Sequence, residues 1–350
     1  MAKNKLIHIR LDKNLIEMVY RAKIARHDGL PFKWRYLAEY INHCIYLDLV
    51  GRRKMADWDG IIKNGIVKRP GEHCLVVGTT GTGKTQLLYY LMAVFTQVAK
   101  NETIVWFDSG KSSEALKLTE FKECTIHHPI MTEIKVIPTD PKIMERLRFK
   151  VFNETNDLWN GIEKDRINIF CIEPFHRDPK EYSIKVREVF KALIDHARDY
   201  KLKRAGVIPL TIFIDELQWL VPTDRTALNA QHNEGAKWFQ RNIETLRSQG
   251  IRIIGATQNW MKIRAGARES FSWLFLKRGA RFLYDRQVLQ KYNKLWMRLN
   301  NGEFFLVMPD SQFSDESITT PFYGDGCDLG EMEYHEIKME VEPEKGKGYA

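Results

Sequence analysis

Eight consecutive residues of the chain have the types and spacing that bind the phosphates of a nucleotide. They match the pattern G-x-x-x-x-G-K-[ST] and follow the apolar segment 74–77, which has the character of a buried strand. Glycines at these positions allow backbone N–H groups to surround phosphate oxygens, and the following helix N-terminus adds a positive dipole end. The loop consists of Gly78, Thr79, Thr80, Gly81, Thr82, Gly83, Lys84 and Thr85. It predicts binding of ATP, with Lys84 on the β- and γ-phosphates and Thr85 on Mg²⁺; the alternative is a chance match on a glycine-rich turn.

Two acids close a second apolar run and could complete such a site. Leu210 to Ile214 reads as a buried strand, and Asp215 and Glu216 follow it directly. Asp215 would hold Mg²⁺ and Glu216 would orient and deprotonate the attacking water, which are the roles that phosphoryl transfer requires. The alternative is that both carboxylates merely cap the next helix.

The pattern around these motifs predicts an α/β fold. Apolar runs at 103–107, 167–172 and 251–256 alternate with helical segments, of which 86–98 carries no charge and is too short to span a membrane. The last of these runs ends in Thr257-Gln258. Because ligands gather at the carboxyl ends of parallel strands, Gln258 is expected beside the γ-phosphate. We therefore expect a RecA-like domain with a mainly parallel central sheet over residues 66–310.

Charge is unevenly distributed along the chain. The net charge of the 350 residues is +9, but residues 311–350 hold ten acids against three lysines, so this segment carries −7 and the preceding residues +16. A basic body favours nucleic acid as a partner, although a solvated basic face is an open alternative. Residues 311–350 are expected to form an acidic C-terminal tail. Its end, Glu331 through Glu344, has the composition of a solvated, partly disordered chain that screens the basic surface or contacts a partner.

Cysteine usage and the N-terminal sequence indicate the cellular setting. The five cysteines are scattered and form no C-x-x-C pair, so the sequence suggests neither a disulfide framework nor a zinc site. Residues 6–11 alternate like a strand and do not resemble a signal peptide. These observations favour a reducing cytoplasmic location without a membrane span.

Together, the phosphate loop, the run Ile212 to Leu217 and the run Arg247 to Gln258 resemble the FtsK–HerA superfamily of DNA-pumping ATPases. The superfamily includes chromosome translocases, conjugative coupling ATPases and viral packaging ATPases. The resemblance implies a RecA-like fold in a ring-shaped oligomer, usually a hexamer, that hydrolyses ATP between subunits and moves double-stranded DNA. It also implies that Gln258 senses the γ-phosphate. Asn259-Trp260 stands where translocases often have Arg-Pro, which leaves the subgroup open.

The same resemblance makes Arg247 the first candidate for an arginine finger that reaches a neighbouring subunit's nucleotide. An exposed arginine at a helix end is the alternative interpretation. Arg268 and Arg281 are further candidates. Phosphate contacts in a DNA pore could come from a basic loop that contains Lys262, Arg264 and Arg268.

The first fifty residues have a β-α-α pattern. An alternating strand at 5–11 precedes two amphipathic helical segments, and one strand with two helices cannot bury these faces alone. The pattern looks like a ribbon-helix-helix DNA-binding and dimerisation domain, in which His8 and Arg10 would face bases and Lys33 a phosphate. A helical hairpin that packs against the ATPase is the alternative. Residues 51–65 are expected to form a basic linker.

The leading functional hypothesis is an ATP-dependent DNA translocase for genome packaging, plasmid transfer or segregation. An ATP-switched DNA-binding regulator or partition protein that moves no DNA is a second hypothesis. A motor for protein or assembly work, for which nucleic acid is irrelevant, is a third.

Overall fold

The computed structural model describes residues 58–108, 113–152, 158–176, 178–204, 209–282, 287–314, 316–324 and 326–337. These residues belong to one compact unit that begins at Trp58. The predicted β-α-α domain, with His8, Arg10 and Lys33, lies outside the described residues, so these assignments stay predictions. Within the described ranges, no helix combines the length and the apolar character needed to cross a bilayer.

A ten-stranded sheet forms the centre of the described unit, and its order is β11-β10-β9-β1-β8-β7-β2-β6-β3-β5. The eight strands from β9 to β5 in this order run parallel, whereas β10 and β11 are antiparallel additions at one edge. The mainly parallel RecA-like sheet predicted from the sequence is confirmed. The strands are β1 (Cys74–Val77), β2 (Thr103–Asp108), β3 (Cys124–Pro129), β4 (Thr132–Pro138), β5 (Leu147–Phe152), β6 (Ile167–Cys171), β7 (Leu210–Ile214), β8 (Ile251–Thr257), β9 (Trp273–Lys277), β10 (Glu303–Val307), β11 (Ile318–Thr319) and β12 (Gly330–Glu336).

Helices cover both faces of the sheet, because side chains of a buried strand alternate between two apolar layers. The helices are α1 (Trp58–Ile62), α2 (Lys84–Val98), α3 (Glu114–Leu118), α4 (Lys142–Glu145), α5 (Leu158–Gly161), α6 (Pro179–Arg204), α7 (Ala230–Ser248), α8 (Ala265–Glu269), α9 (Gln287–Gln290) and α10 (Asn293–Trp296).

Helix α2 packs on one face of the sheet, where the Tyr89 ring stacks on Trp106 of β2 at 5.9 Å and Phe95 meets Phe213 of β7 edge-on at 5.7 Å. On the opposite face, side chains of α6 and α7 form a continuous apolar cluster with alternate residues of β2 and β7, such as Val105. Except for the edge strand β5, the parallel strands are therefore buried on both faces, and their carboxyl ends form one edge of the sheet.

The predicted linker is wrong over its last part. Residues from Trp58 onward form α1 and a following π-helical turn (Lys63–Val67), and Ile62 and Ile66 are fully buried. The Trp58 ring contacts Tyr90 at 5.2 Å. Apolar side chains at helical spacing explain this packing, since they bury against α2 and the sheet instead of remaining in solvent.

The predicted solvated acidic tail is also wrong for its described part. Strand β11 extends the main sheet, and β12 pairs with β4 over seven residues in a separate two-stranded sheet. Lys135 and Glu333 form a cross-strand ion pair at 3.5 Å, and the Tyr334 ring packs on Phe175. A cross-strand ion pair and an aromatic contact with Phe175, which lies after β6, thus accompany the pairing of a segment whose composition is that of a solvated chain.

Candidate functional site

The phosphate loop connects β1 to α2 at the carboxyl edge of the sheet. Strand β1 lies between β8 and β9, and the loop begins where it ends. Gly83 caps α2 with φ 81°, a left-handed conformation that side chains other than glycine rarely adopt. At Gly78, an added Cβ would lie 2.7 Å from the Cβ of Lys277, so only glycine fits there. The glycines therefore give the loop its shape for steric reasons that the structure makes explicit.

Lys84 is held over this loop. Its side chain is buried, and its Nζ donates a hydrogen bond to the carbonyl oxygen of Thr79 at 3.3 Å. The Thr82 hydroxyl donates to the same carbonyl at 2.8 Å. The ammonium group is thereby positioned where the β- and γ-phosphates of a nucleotide would lie.

Thr85, in the first turn of α2, and Asp215, directly after β7, meet at the carboxyl edge of the sheet. The Thr85 hydroxyl donates to a carboxylate oxygen of Asp215 at 2.9 Å, and Asp215 is buried at the end of β7. A hydroxyl and a carboxylate in contact are a suitable pair of ligands for Mg²⁺, which takes few protein ligands and completes its shell with phosphate oxygens and water. The residues present therefore fit the predicted ion.

Glu216 is held in a strained conformation. Its φ of 62° and ψ of 47° are unusual for a residue other than glycine, and such strain is found mainly at functional sites. Its carboxylate accepts hydrogen bonds from the side-chain amide of Gln258 at 3.0 and 3.2 Å and from that of Gln218. The backbone directs the carboxylate to the carboxyl edge, and the two amides fix its orientation.

The structure thus brings together Lys84, Thr85, Asp215, Glu216 and Gln258. Strand β8 lies between β1 and β7, which places Gln258 between the phosphate loop and Glu216. A capping role alone does not explain this cluster, because the carboxylates contact residues that follow two other strands.

Arg247 does not join this cluster. It precedes β8, at the amino edge of the sheet, whereas the nucleotide site lies at the carboxyl edge. At about 3.3 Å per residue, the seven residues of β8 separate the two edges by roughly 20 Å. The guanidinium forms an ion pair with the buried carboxylate of Glu72, while 61% of the side chain is exposed. Arg247 is therefore remote from the phosphate loop of its own chain, and its role as an arginine finger stays a prediction.

Two of the three residues predicted to contact DNA from a basic loop are engaged within the protein. Arg268 is only 5% exposed, donates to the Trp260 carbonyl at 3.3 Å and lies over the Trp260 ring, so its prediction as a phosphate contact is wrong. Arg264 is mostly buried and forms an ion pair with Asp224 at 2.8 Å. Its charge is largely compensated there. Lys262 is exposed, as the prediction requires.

Sequence reasoning missed Lys277, at the end of β9. It is fully buried behind the phosphate loop, and its Nζ donates to the Thr320 hydroxyl at 3.4 Å. Burial lowers the pKa of Lys277 to about 8, and the nearby charge of Lys84 contributes in the same direction. A run of apolar residues that ends in one lysine gives no signal of this position, which becomes evident only once β9 is paired with β1.

Comparisons with known proteins give structural neighbours of low sequence identity. No family model matches the chain, and no curated protein matches it by sequence. The DNA-packaging ATPase B204 of Sulfolobus turreted icosahedral virus is 12% identical, with a TM-score of 0.41 over 70% of this chain and 97% of B204. The pCW3 conjugation coupling protein TcpA is 15% identical, with a TM-score of 0.36 over 75% of this chain and 63% of TcpA.

A third neighbour is Thermomonospora curvata EccC, which is 12% identical, with a TM-score of 0.39 over 72% of this chain and 38% of the EccC chain. EccC is a type VII secretion ATPase. The loop, the paired Thr85 and Asp215, and the strained Glu216 have the residue types and the arrangement that a P-loop ATPase site requires, and the proposal below rests on those residues.

Proposed function

We propose that the chain hydrolyses ATP and uses the free energy to move double-stranded DNA. The observation that carries the catalytic part is the arrangement at the ends of β1, β7 and β8. There Thr85 hydrogen-bonds to Asp215 and Gln258 hydrogen-bonds to Glu216, and this arrangement beside the phosphate loop supports roles in Mg²⁺ binding and water activation.

Each residue has a defined task in this mechanism. The loop N–H groups bind the α- and β-phosphates, and Lys84 reaches the β- and γ-phosphates and stabilises the charge that develops on the γ-phosphoryl group. Mg²⁺, held by Thr85 and Asp215, would neutralise charge on the β- and γ-oxygens. Glu216 accepts a proton from the attacking water as the water approaches phosphorus.

The amide of Gln258 lies beside the Glu216 carboxylate and can orient the same water or contact the γ-phosphate. Because Glu216 is fixed by its backbone and by two amides, it loses little further conformational entropy when it aligns the water.

Three features support DNA as the molecule that the ATPase moves. Residues 1–310 carry a net charge of +16, which attracts a polyanion. The three sequence motifs that form the site resemble those of DNA-pumping ATPases. Lys262 is exposed on the loop that follows Gln258. A contact between Lys262 and a DNA phosphate would therefore lie four residues from the side chain expected beside the nucleotide.

We extend the proposal to the assembly and its partners. The working form is a ring, with a hexamer as the expected state, in which Arg247 reaches a neighbouring subunit. The N-terminal fifty residues recruit the ATPase to DNA, and the acidic residues beyond 337 contact a partner protein. The expected location is the cytoplasm of a prokaryotic cell or of a cell infected by its virus.

A regulator that binds DNA and uses ATP only to switch its oligomeric state is the second candidate. The β-α-α pattern of residues 1–50 favours it, since ribbon-helix-helix pairs commonly read a short DNA site.

Steady-state ATP hydrolysis with and without long double-stranded DNA, at two salt concentrations, tests the proposal. Glu216→Gln serves as the blank, because it keeps the shape of the site and removes the base. Translocation predicts strong stimulation by DNA of any sequence, with movement confirmed by displacement of a triplex-forming strand. Slow turnover that long DNA does not change, with tight binding to one short site, would contradict translocation and support the regulator.

A further inference from the structure

An aromatic side chain near the phosphate loop is exposed to an unusual extent. Phe322 is 84% exposed, more than any other large hydrophobic residue in the described part of the chain. A single exposed phenylalanine is ordinary in a protein surface and by itself indicates nothing. It is distinguished by its position between two points of attachment, one to the phosphate loop and one to the first turn of α2.

The first attachment precedes Phe322. The Thr320 N–H donates to the Gly302 carbonyl at 2.8 Å, and the Gly302 N–H donates to the carbonyl of Thr82 in the phosphate loop at 3.3 Å. The Thr320 hydroxyl also accepts the hydrogen bond from Lys277. This side of the segment is therefore connected to the loop and to the buried lysine behind it.

The second attachment follows Phe322 immediately. The Tyr323 N–H donates to the side-chain oxygen of Gln86 at 2.7 Å, and the Gln86 amide nitrogen donates to the Gly324 carbonyl at 2.6 Å. The Tyr323 ring also packs edge-on against Phe121 at 5.3 Å. Gln86 lies in the first turn of α2, directly after Thr85. The segment 320–324 is therefore a strap, attached to the loop through Thr82 at one end and to the helix through Gln86 at the other.

The sheet order determines which part of a nucleotide this strap would meet. Glu216 and Gln258 follow β7 and β8, which lie on one side of β1, so the γ-phosphate points toward that side. Strands β9, β10 and β11 lie on the other side of β1, and the strap continues directly from β11. Backbone N–H groups of the loop cradle the α- and β-phosphates, so the ribose and base must leave the loop at the end remote from the γ-phosphate.

We propose that Phe322 is the platform on which the nucleobase stacks, and that the strap 320–324 forms the base-side wall of the nucleotide site. The proposal rests on the function proposed above. It concerns the nucleobase, which the phosphate loop does not contact. An exposed ring held on a doubly attached segment loses little conformational freedom on binding, and stacking on an aromatic face tolerates different bases.

Binding measurements with two ligands separate the base from the phosphates. ATP and inorganic tripolyphosphate, each with Mg²⁺, would be titrated by calorimetry into the full chain, into Phe322→Ala and into Phe322→Trp. Phe149→Ala is the matched control, because Phe149 is 36% exposed on edge strand β5, at the far end of the sheet.

The proposal predicts that Phe322→Ala weakens ATP binding about 5- to 100-fold and leaves tripolyphosphate binding unchanged. Phe322→Trp should retain ATP affinity, and Phe149→Ala should bind both ligands like the parent chain. Equal losses for ATP and tripolyphosphate, or unchanged ATP affinity in Phe322→Ala, would overturn the proposal. If Phe322→Ala kept the ATP affinity of the parent chain but lost self-association, the Phe322 side chain would instead belong to a contact between subunits.

The same titrations distinguish failure of the inference from failure of the proposed function. If the parent chain binds neither ligand, the ATPase proposal fails. If it binds both and Phe322→Ala behaves like the parent, only the assignment of the base platform is wrong.

Discussion

Replacing Lys277 by methionine is expected to change how the stability of the folded chain depends on pH. Lys277 is buried, and its pKa is lowered to about 8 from the ordinary value of 10.5 by desolvation and by the charge of Lys84. In the unfolded chain the side chain keeps its proton until about pH 10.5. Between these two values the unfolded state binds more protons than the folded state, so the free energy of unfolding rises with pH.

The size of this effect follows from the two pKa values. One pKa unit corresponds to about 1.4 kcal/mol, and linkage between pH 7 and pH 9.5 gives a gain of about 2 kcal/mol for the parent chain. Methionine has a similar length and no charge, so the variant lacks this gain in the free energy of unfolding. Urea unfolding at the two pH values, without nucleotide, measures the difference, since titrations common to both proteins cancel when one is subtracted from the other.

An exposed lysine provides the control. Lys262→Met should respond to pH like the parent chain, because Lys262 is exposed to solvent and its replacement removes no buried charge. If the stability of Lys277→Met changed with pH by the same amount as that of the parent, the argument that Lys277 is charged in a desolvating position would be refuted.

Three further changes test other parts of the structure. Arg252→Leu should destabilise the fold by about 3–5 kcal/mol in urea unfolding, because it leaves the buried carboxylate of Glu102 without the ion pair that the two form at 2.6 Å. Thr85→Val should raise the Mg²⁺ concentration needed for half-maximal ATP hydrolysis by at least about tenfold, since valine keeps the shape but lacks the oxygen ligand. Gln258→Leu should lower kcat about 100-fold with little change in ATP affinity, measured by steady-state kinetics and calorimetry, because it removes the amide that orients Glu216.

The sequence was sufficient for those parts of the fold that depend on local composition. Strands β1, β2, β6, β7 and β8 were predicted within one or two residues, because a parallel strand buried on both faces has a continuous apolar run. The phosphate loop and the acids after β7 could be assigned for the same reason. Each motif directly follows such a run, so its place at the carboxyl edge required no knowledge of the strand order.

What could not be predicted depends on pairing between distant segments. The composition of 311–337 is that of a solvated chain, and only its pairing with β4 and β10 explains why it is ordered into β11 and β12. The interactions of Arg264 and Arg268 could not be predicted from the sequence either, because a cluster of basic residues looks the same whether it faces solvent or packs on an aromatic ring. Lys277 and Phe322 become candidates for the site only because β9, β10 and β11 extend the sheet beside β1.

The position of β8 also explains why Gln258 has a special role among the site residues. Because β8 is inserted between β1 and β7, Gln258 lies between the phosphate loop and Glu216 and already hydrogen-bonds the latter. Directly after it, the Asn259 side chain accepts from the Met261 N–H at 2.8 Å and begins the turn that carries the exposed Lys262. A change in the contacts of Gln258 on loss of the γ-phosphate would therefore act on this turn within four residues. If Gln258 contacts the γ-phosphate and Lys262 contacts DNA, as proposed, then coupling between hydrolysis and DNA needs no long pathway, because four residues separate the two side chains.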